Sequence, residues 1–157
     1  AELDRFMLLI GVDYPPEDDE RAIVLSTTGD GEISPQKVLG PEPIMRLQRL
    51  VRRVPAADEV VAYAVRLVRA SRPAEPTAPD FVREFVSWGA GPRASQYLIL
   101  GGKARAVLDG RFAVSADDVR ALARPVLRHR IITNFHAEVS SVTQLDIVDR
   151  LLERVKP

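Results

Sequence analysis

Gly89-Ala90-Gly91-Pro92-Arg93-Ala94-Ser95 runs directly into Gln96-Tyr97-Leu98-Ile99-Leu100-Gly101-Gly102-Lys103-Ala104, a glycine-punctuated turn leading into a helix. Pro92 suits the first helical position, where its fixed φ is already helical and its missing N–H is one the helix would leave unpaired. Tyr97, Leu98, Gly101, Ala104 and Leu108 then fall along one face, and Gly110 stops the helix. Gly101-Gly102 predicts a close contact with another helix. A phosphate loop fails here, because the required Gly and the Ser or Thr after the Lys are replaced by Tyr97 and Ala104, and the segment lies inside a helix. Arg93, just inside the helix N-terminus, joins a guanidinium to the positive end of the helix dipole, a pairing suited to phosphate. From spacing alone, an ordinary surface arginine remains the alternative.

Downstream, Ser115-Ala116-Asp117-Asp118 reads as a capping box with Asp in place of the usual Glu or Gln. It opens a helix with Val119, Leu122, Val126 and Leu127 inward, bent or interrupted at Pro125. Thr143-Gln144-Leu145-Asp146 repeats the device before Ile147/Val148, Leu151/Leu152 and Val155. Upstream, a short helix is expected over Asp80–Trp88, and a helix capped by Asp58 carries Val60/Val61, Ala64 and Leu67/Val68 inward. The proline-rich stretch between them, residues 72–79, reads as a surface loop. A further helix has an apolar stripe at Ile44, Leu47, Leu50/Val51 and Val54, with Arg46, Arg49 and Arg53 on the other side and Arg52 nearby. That basic helix suits either a solvated face or an acidic partner.

The N-terminal part differs. Phe6-Met7-Leu8-Leu9-Ile10-Gly11-Val12 is an apolar run without helical period and reads as a strand buried on both faces. No second strand is expected after it, which points to a sheet lying outside the chain. Pro16 before Glu17-Asp18-Asp19-Glu20 opens a helix whose acids complement the dipole, and Gly29-Asp30-Gly31 ends it. The fold class expected is mainly α.

The 157 residues carry 22 Lys+Arg against 22 Asp+Glu. Residues 1–32 hold nine acids and two bases, a net of −7, so the remainder carries +7. Only Lys37, Lys103 and Lys156 are lysines, an arginine bias that GC-rich bacterial coding produces. The absence of cysteine excludes disulfides, thiol catalysis and cysteine-held metals. His129 and His136 lack carboxylates at metal-ligand spacing, and Ser34, Ser87, Ser95 and Ser115 show no nucleophile elbow, so no metal site and no self-contained active site are expected. No apolar run reaches the roughly 18–20 residues of a membrane span. Glu2 and Asp4 stand where a leader's basic and apolar regions belong, so a cytoplasmic bacterial domain is expected.

Ala1-Glu2-Leu3-Asp4-Arg5-Phe6, running into the apolar segment and Tyr14-Pro15, resembles the end of the ATPase core in MoxR-type AAA+ proteins. The Gly89–Ser95 turn, Ala104-Arg105-Ala106, Gly110-Arg111, Val114–Val119 and Val126-Leu127-Arg128-His129-Arg130 resemble, in order, the lid of the same family. Gly91 departs from it, since Ser is commoner there, and loosens the turn. The resemblance implies a helical-bundle AAA+ lid preceded by a remnant strand and helix of the α/β core. Residues 1–54 would be the core remnant with connecting helices, 55–132 the lid and 133–157 a C-terminal helical extension.

By the same resemblance Arg93 is the sensor-2 arginine that meets ATP in its own subunit, with Pro92 and Ala94 beside it on the lid side of the nucleotide site. Arg5 is the arginine finger that reaches a neighbouring subunit's ATP. A strand-edge pair of Arg5 with Asp4 or Glu2 is the alternative. ATP and Mg²⁺ belong to the full-length ATPase; the chain alone lacks Walker motifs and is expected neither to hydrolyse ATP nor to bind it tightly. The partners implied are the protein's own N-terminal ATPase core, a homo-oligomeric ring of six subunits and a von Willebrand factor A domain protein, with chaperone-like remodelling of a client as the task. A nucleic-acid-binding or protein-interaction module built on residues 46–53 is the competing reading, with nucleic acid the less favoured partner.

Overall fold

The computed structural model describes residues 2–31 and 34–157. Ala1, which begins the motif quoted above, and Glu32, counted among the acids, lie outside the described residues. A 3₁₀ turn at Leu3–Arg5 is followed by helices α1 (Glu17–Thr27), α2 (Pro41–Arg53), α3 (Asp58–Ala70) and α4 (Asp80–Phe85). Then come strand β1 (Val86–Trp88), α5 (Pro92–Leu108), α6 (Ala116–Leu127), β2 (Ile132–Thr133), α7 (Phe135–Val139) and α8 (Gln144–Arg154).

Local chemistry sets the helix starts. At α6 the Asp118 N–H donates to Ser115 Oγ at 3.3 Å, and the Ser115 N–H donates to Asp118 Oδ2 at 2.9 Å. Thr143 and Asp146 form the same reciprocal pair at α8, with distances of 3.2 and 2.8 Å. Asp is therefore long enough to close both capping boxes. Asp58 does not cap α3: Ala57 holds that position, and Asp58 lies in the first turn, where its charge still complements the dipole.

The core lies among α3, α5, α6 and α8. Tyr63, Leu67, Leu98, Leu127, Ile147 and Leu151 are fully buried in it, each such apolar side chain contributing about 1.5–3 kcal/mol. The α5–α6 pairing is the most extensive in the molecule, and the diglycine makes it possible. A Cβ on Gly101 would stand 2.8 Å from Leu122 Cδ1, and one on Gly102 would stand 2.7 Å from Val114 Cγ1. The close contact expected of Gly101-Gly102 is thus present. Helix α8 shares this core, pinned to α6 by a bidentate Arg124–Asp149 pair at 2.7 and 2.6 Å and by Arg120 donating to the Leu152 carbonyl at 3.0 Å.

Three further expectations need correction. The helix expected over Asp80–Trp88 ends at Phe85, and Val86–Trp88 pairs antiparallel with Ile132–Thr133. Asn134 supports the turnaround by donating from its backbone to the Phe85 carbonyl at 2.9 Å and from Nδ2 to the Glu84 carbonyl at 2.7 Å. Phe6–Val12 forms no strand, since no strand among the described residues lies beside it. Nor is it buried on both faces: Phe6, Leu9, Ile10 and Val12 are exposed, and only Met7 and Leu8 are half-buried against the lid, where the Leu9 N–H donates to the Pro125 carbonyl at 2.9 Å. That carbonyl is among the last of α6, which the helix itself leaves unpaired. Finally, the α2 stripe does not all face inward. Val54 is buried with Ala106 and Val114, and Val51 is half-buried, but Ile44, Leu47 and Leu50 remain exposed. Arg46, Arg49 and Arg53 share a shallow groove with Leu47 and Leu50, so basic and apolar residues are mixed on one surface. Neither α1 nor α2 contains a buried residue.

Candidate functional site

The N-terminus of α5 is placed by the turn before it. Gly89 lies so close to the end of α3 that a Cβ there would fall 2.3 Å from the Ser71 carbonyl oxygen. The Ala90 N–H donates to Ser71 Oγ at 3.0 Å, and Arg72 Nε donates to the Ala90 carbonyl at 2.9 Å. Gly91 occupies the N-cap position with extended backbone, Pro92 follows as the first helical residue, and Ala94 is fully buried. Arg93 projects from between them with its side chain 44% exposed. The first turn of α5 holds no acid.

The carboxylate that answers Arg93 comes from the other end of the chain. Arg93 Nη1 donates to Asp4 Oδ2 at 2.7 Å, while Arg130 Nε donates to Asp4 Oδ1 at 2.9 Å. Asp4 thus bridges two guanidiniums. They differ in setting, since the Arg130 side chain is only 1% exposed. Arg130 also donates from Nη2 to the carbonyls of Asp4 at 2.9 Å and Phe6 at 2.6 Å, and from Nη1 to those of Met7 at 3.3 Å and Val126. Its guanidinium carbon lies 5.0 Å from the centre of the Tyr97 ring. Tyr97 Oη donates to the Arg5 carbonyl at 3.0 Å.

His129 completes the seam. Its Nε2 lies 3.1 Å from the Phe6 carbonyl oxygen, which can only accept, so Nε2 carries the hydrogen and Nδ1 is buried with no hydrogen-bond partner among the described residues. Burial, first, and the charges of Arg130 and Arg128 hold the imidazole below its ordinary value, against an upward pull from the Phe6 carbonyl and Asp4.

The residues assigned from sequence to the nucleotide site therefore fall in one region. Arg93 and Arg5 both lie on the seam between residues 3–9 and the lid, Pro92 and Ala94 form the helix start beneath Arg93, and the Arg5 side chain is exposed. Asp4 pairs with Arg93 and Arg130, and among the described residues no ion pair joins Arg5 to Asp4 or Glu2. Sequence reasoning passed over Arg130, although it lies in a quoted motif. The available signal was a run of hydrogen-bond donors, Arg128-His129-Arg130, just past a helix C-terminus whose carbonyls attract donors. Arg46, Arg49, Arg52 and Arg53 lie apart, on α2.

Chemically, the seam can receive an anion at Arg93 and present a cation at Arg5. Among the described residues there is no cluster of three or more His, Cys, Asp or Glu able to hold a metal ion, and no helix is long and apolar enough to cross a membrane.

Residues 78–151 match the AAA lid domain family. The chain is 32% identical over 157 residues to the chaperone MoxR1 of Mycobacterium tuberculosis, covering 99% of this chain and 41% of that protein. It is 32% identical over 148 residues to protein MoxR of Paracoccus denitrificans, covering 83% of this chain and 42% of that one. It thus spans less than half the length of either relative. A crystal structure of a candidate ATPase from Cytophaga hutchinsonii superposes with a TM-score of 0.88 at 24% identity, covering 99% of this chain and 47% of that one, a likeness of fold. Residues 78–151 carry the match to the AAA lid domain, and over most of its length the chain is similar to MoxR proteins.

Proposed function

We infer that this chain is the lid-bearing part of an ATPase in which Arg93 meets the nucleotide of its own subunit and Arg5 that of a neighbour. The observation that carries the reading is the placement of Arg93 at an acid-free helix start, with Asp4, a residue outside the lid helices, as its anion. A carboxylate held there shows that the position accepts negative charge, and a phosphate oxygen would make the same charge-assisted hydrogen bond. The half-exposed Arg93–Asp4 pair is the kind of contact that contributes little and exchanges readily.

The residues present fit the lid side of ATP only. Arg93, with Pro92 and Ala94 shaping the helix start, would face its phosphates, while the remainder of the site and the Mg²⁺ ligands would come from the ATPase core. Bound there, ATP supplies the phosphoryl group whose charge in the transition state an arginine in trans stabilises, an effect of about 10³–10⁵ in rate. Arg5 would take that role, a reading its exposure at the seam supports. A finger acting in trans requires an oligomer, and the resemblance to the family points to a ring of six subunits. Lid movement driven by loss of the Arg93 contact would be the motion delivered to a client, in chaperone-like assembly or remodelling, with a von Willebrand factor A domain protein as partner in the bacterial cytoplasm. The lid unit would run from about residue 55 through α8, since α8 shares the lid's core.

In the whole ATPase, Arg93→Ala should lower turnover at least about tenfold and blunt nucleotide-dependent assembly. Unchanged turnover with unchanged assembly would overturn the cis role. Rings mixing Arg5→Ala subunits with subunits unable to bind ATP should lose activity if Arg5 acts in trans. The chain alone should show no ATP turnover.

A further inference from the structure

We propose that Arg130 is a positioning residue that fixes Arg5 to the lid, so that the direction of the finger is set by the lid. The inference rests on the finger role given to Arg5 above and adds what holds it. The Arg130 guanidinium, buried at the C-terminal end of α6, donates to the carbonyls of Asp4 and Phe6, the two residues flanking Arg5, and also to the Asp4 carboxylate. Tyr97 Oη takes the carbonyl of Arg5 itself. Three consecutive carbonyls are therefore held by two side chains of the lid, while the Arg5 side chain remains exposed. This leaves little freedom to the backbone that aims Arg5. The planar fork of arginine can serve several acceptors at once from one buried position; a lysine ammonium cannot reproduce that geometry.

Asp4 gives the arrangement a second consequence. Its carboxylate is shared between Arg130 and Arg93. An anion that claims Arg93 leaves Asp4 to Arg130 alone, so the residue next to the finger registers what Arg93 has bound. Occupancy in one subunit is thereby linked through Arg93, Asp4 and Arg5 to the neighbour's site.

The test is a cycle in the whole ATPase using Arg130→Lys, Arg5→Ala and the double variant, with Tyr97→Phe as a milder second probe that removes only the hydroxyl. Arg130→Lys should lower turnover about 10–100-fold and Tyr97→Phe severalfold, both without weakening nucleotide binding in the mutated subunit. The double Arg130→Lys, Arg5→Ala variant should be no slower than Arg5→Ala alone, because Arg130 acts through Arg5. Amide exchange at Leu9, bonded to Pro125, should accelerate in Arg130→Lys while the α5 and α6 amides keep their protection. A purely structural role would instead make the two losses multiply and would expose the helices too. Multiplying losses, or full turnover in both Arg130→Lys and Tyr97→Phe beside an impaired Arg5→Ala, would overturn the proposal and leave the finger intact. Full turnover in Arg5→Ala would overturn the finger and the proposal together.

Discussion

At the scale of single residues, the most heavily held carboxylate among the described residues is that of Asp118, not a site residue. Its carboxylate, 2% exposed, accepts two hydrogen bonds from Arg111 at 2.8 and 2.6 Å, one from Arg105 Nε at 3.2 Å, and those of the Ser115 N–H and Oγ at 2.9 and 3.0 Å. The Arg111 hydrogen bonds, foremost, hold it well below the usual carboxylate range, against the opposing pull of burial. A carboxyl group depressed in the folded state stabilises the fold above its unfolded value of about 3.9, and that contribution fades as pH falls through the folded value. Stability should therefore drop below about pH 4 more steeply in the natural chain than in Asp118→Ala. At neutral pH, loss of the cap and its charged hydrogen bonds should cost Asp118→Ala about 2 kcal/mol, or about 4–8 °C in Tm. Equal melting of the two proteins at pH 7 would refute this. The Ser-x-x-Asp cap was legible because it is local. Arg130 on Asp4 was not, because the partners are separated by most of the chain and no periodicity connects them.

At the scale of elements, the long helices were readable from apolar spacing and from the residues at their starts. The short strands were not, since two or three residues are too few for alternation to register. Val86-Ser87-Trp88 therefore looked like the continuation of a helix. Phe6–Val12 shows the complementary error. Its apolar pattern pointed to a strand buried on both faces, yet Phe6, Leu9, Ile10 and Val12 are exposed, because pattern carries no information about the partner, and here a backbone hydrogen bond goes to the Pro125 carbonyl of α6. The turn before α5 allows a sharper check, because two glycines two residues apart should respond oppositely. Gly89→Ala would drive a Cβ into the Ser71 backbone, which cannot swing away like a side chain, and should cost about 2–3 kcal/mol. Gly91 has open space around its would-be Cβ and no side-chain cap, so Gly91→Ser supplies an N-cap acceptor and should gain a few tenths of a kcal/mol, about 1 °C in Tm. Melting curves of both variants decide it, and stabilisation by Gly89→Ala would contradict the packing described.

At the scale of the whole molecule, the neutral charge total conceals two unlike parts. From Val54 to Val155 the chain shares buried apolar clusters, whereas every described residue from Ile10 to Leu39 is exposed. Helix α1 lies within that exposed part, with four acids in its first turn and exposed Ile23, Val24 and Leu25. Eleven residues without a buried face are too few to hold a helix by propensity alone, so α1 adds little to the stability of the lid. Residues 3–9 are different: they lie before this exposed stretch yet are tied to the lid through Arg130, Tyr97 and Pro125. Replacing residues 13–38 with a flexible linker of similar length should therefore leave the melting transition within about 2 °C of the natural chain, and should preserve slow exchange at Leu9. Removing residues 1–40 altogether should lose more, because it strips four of the five acceptors from buried Arg130 and leaves the Pro125 carbonyl open. If the replacement and the deletion proved equally destabilising, the exposed stretch would be part of the folded unit; if both were neutral, the seam that carries Arg5 would contribute nothing to it.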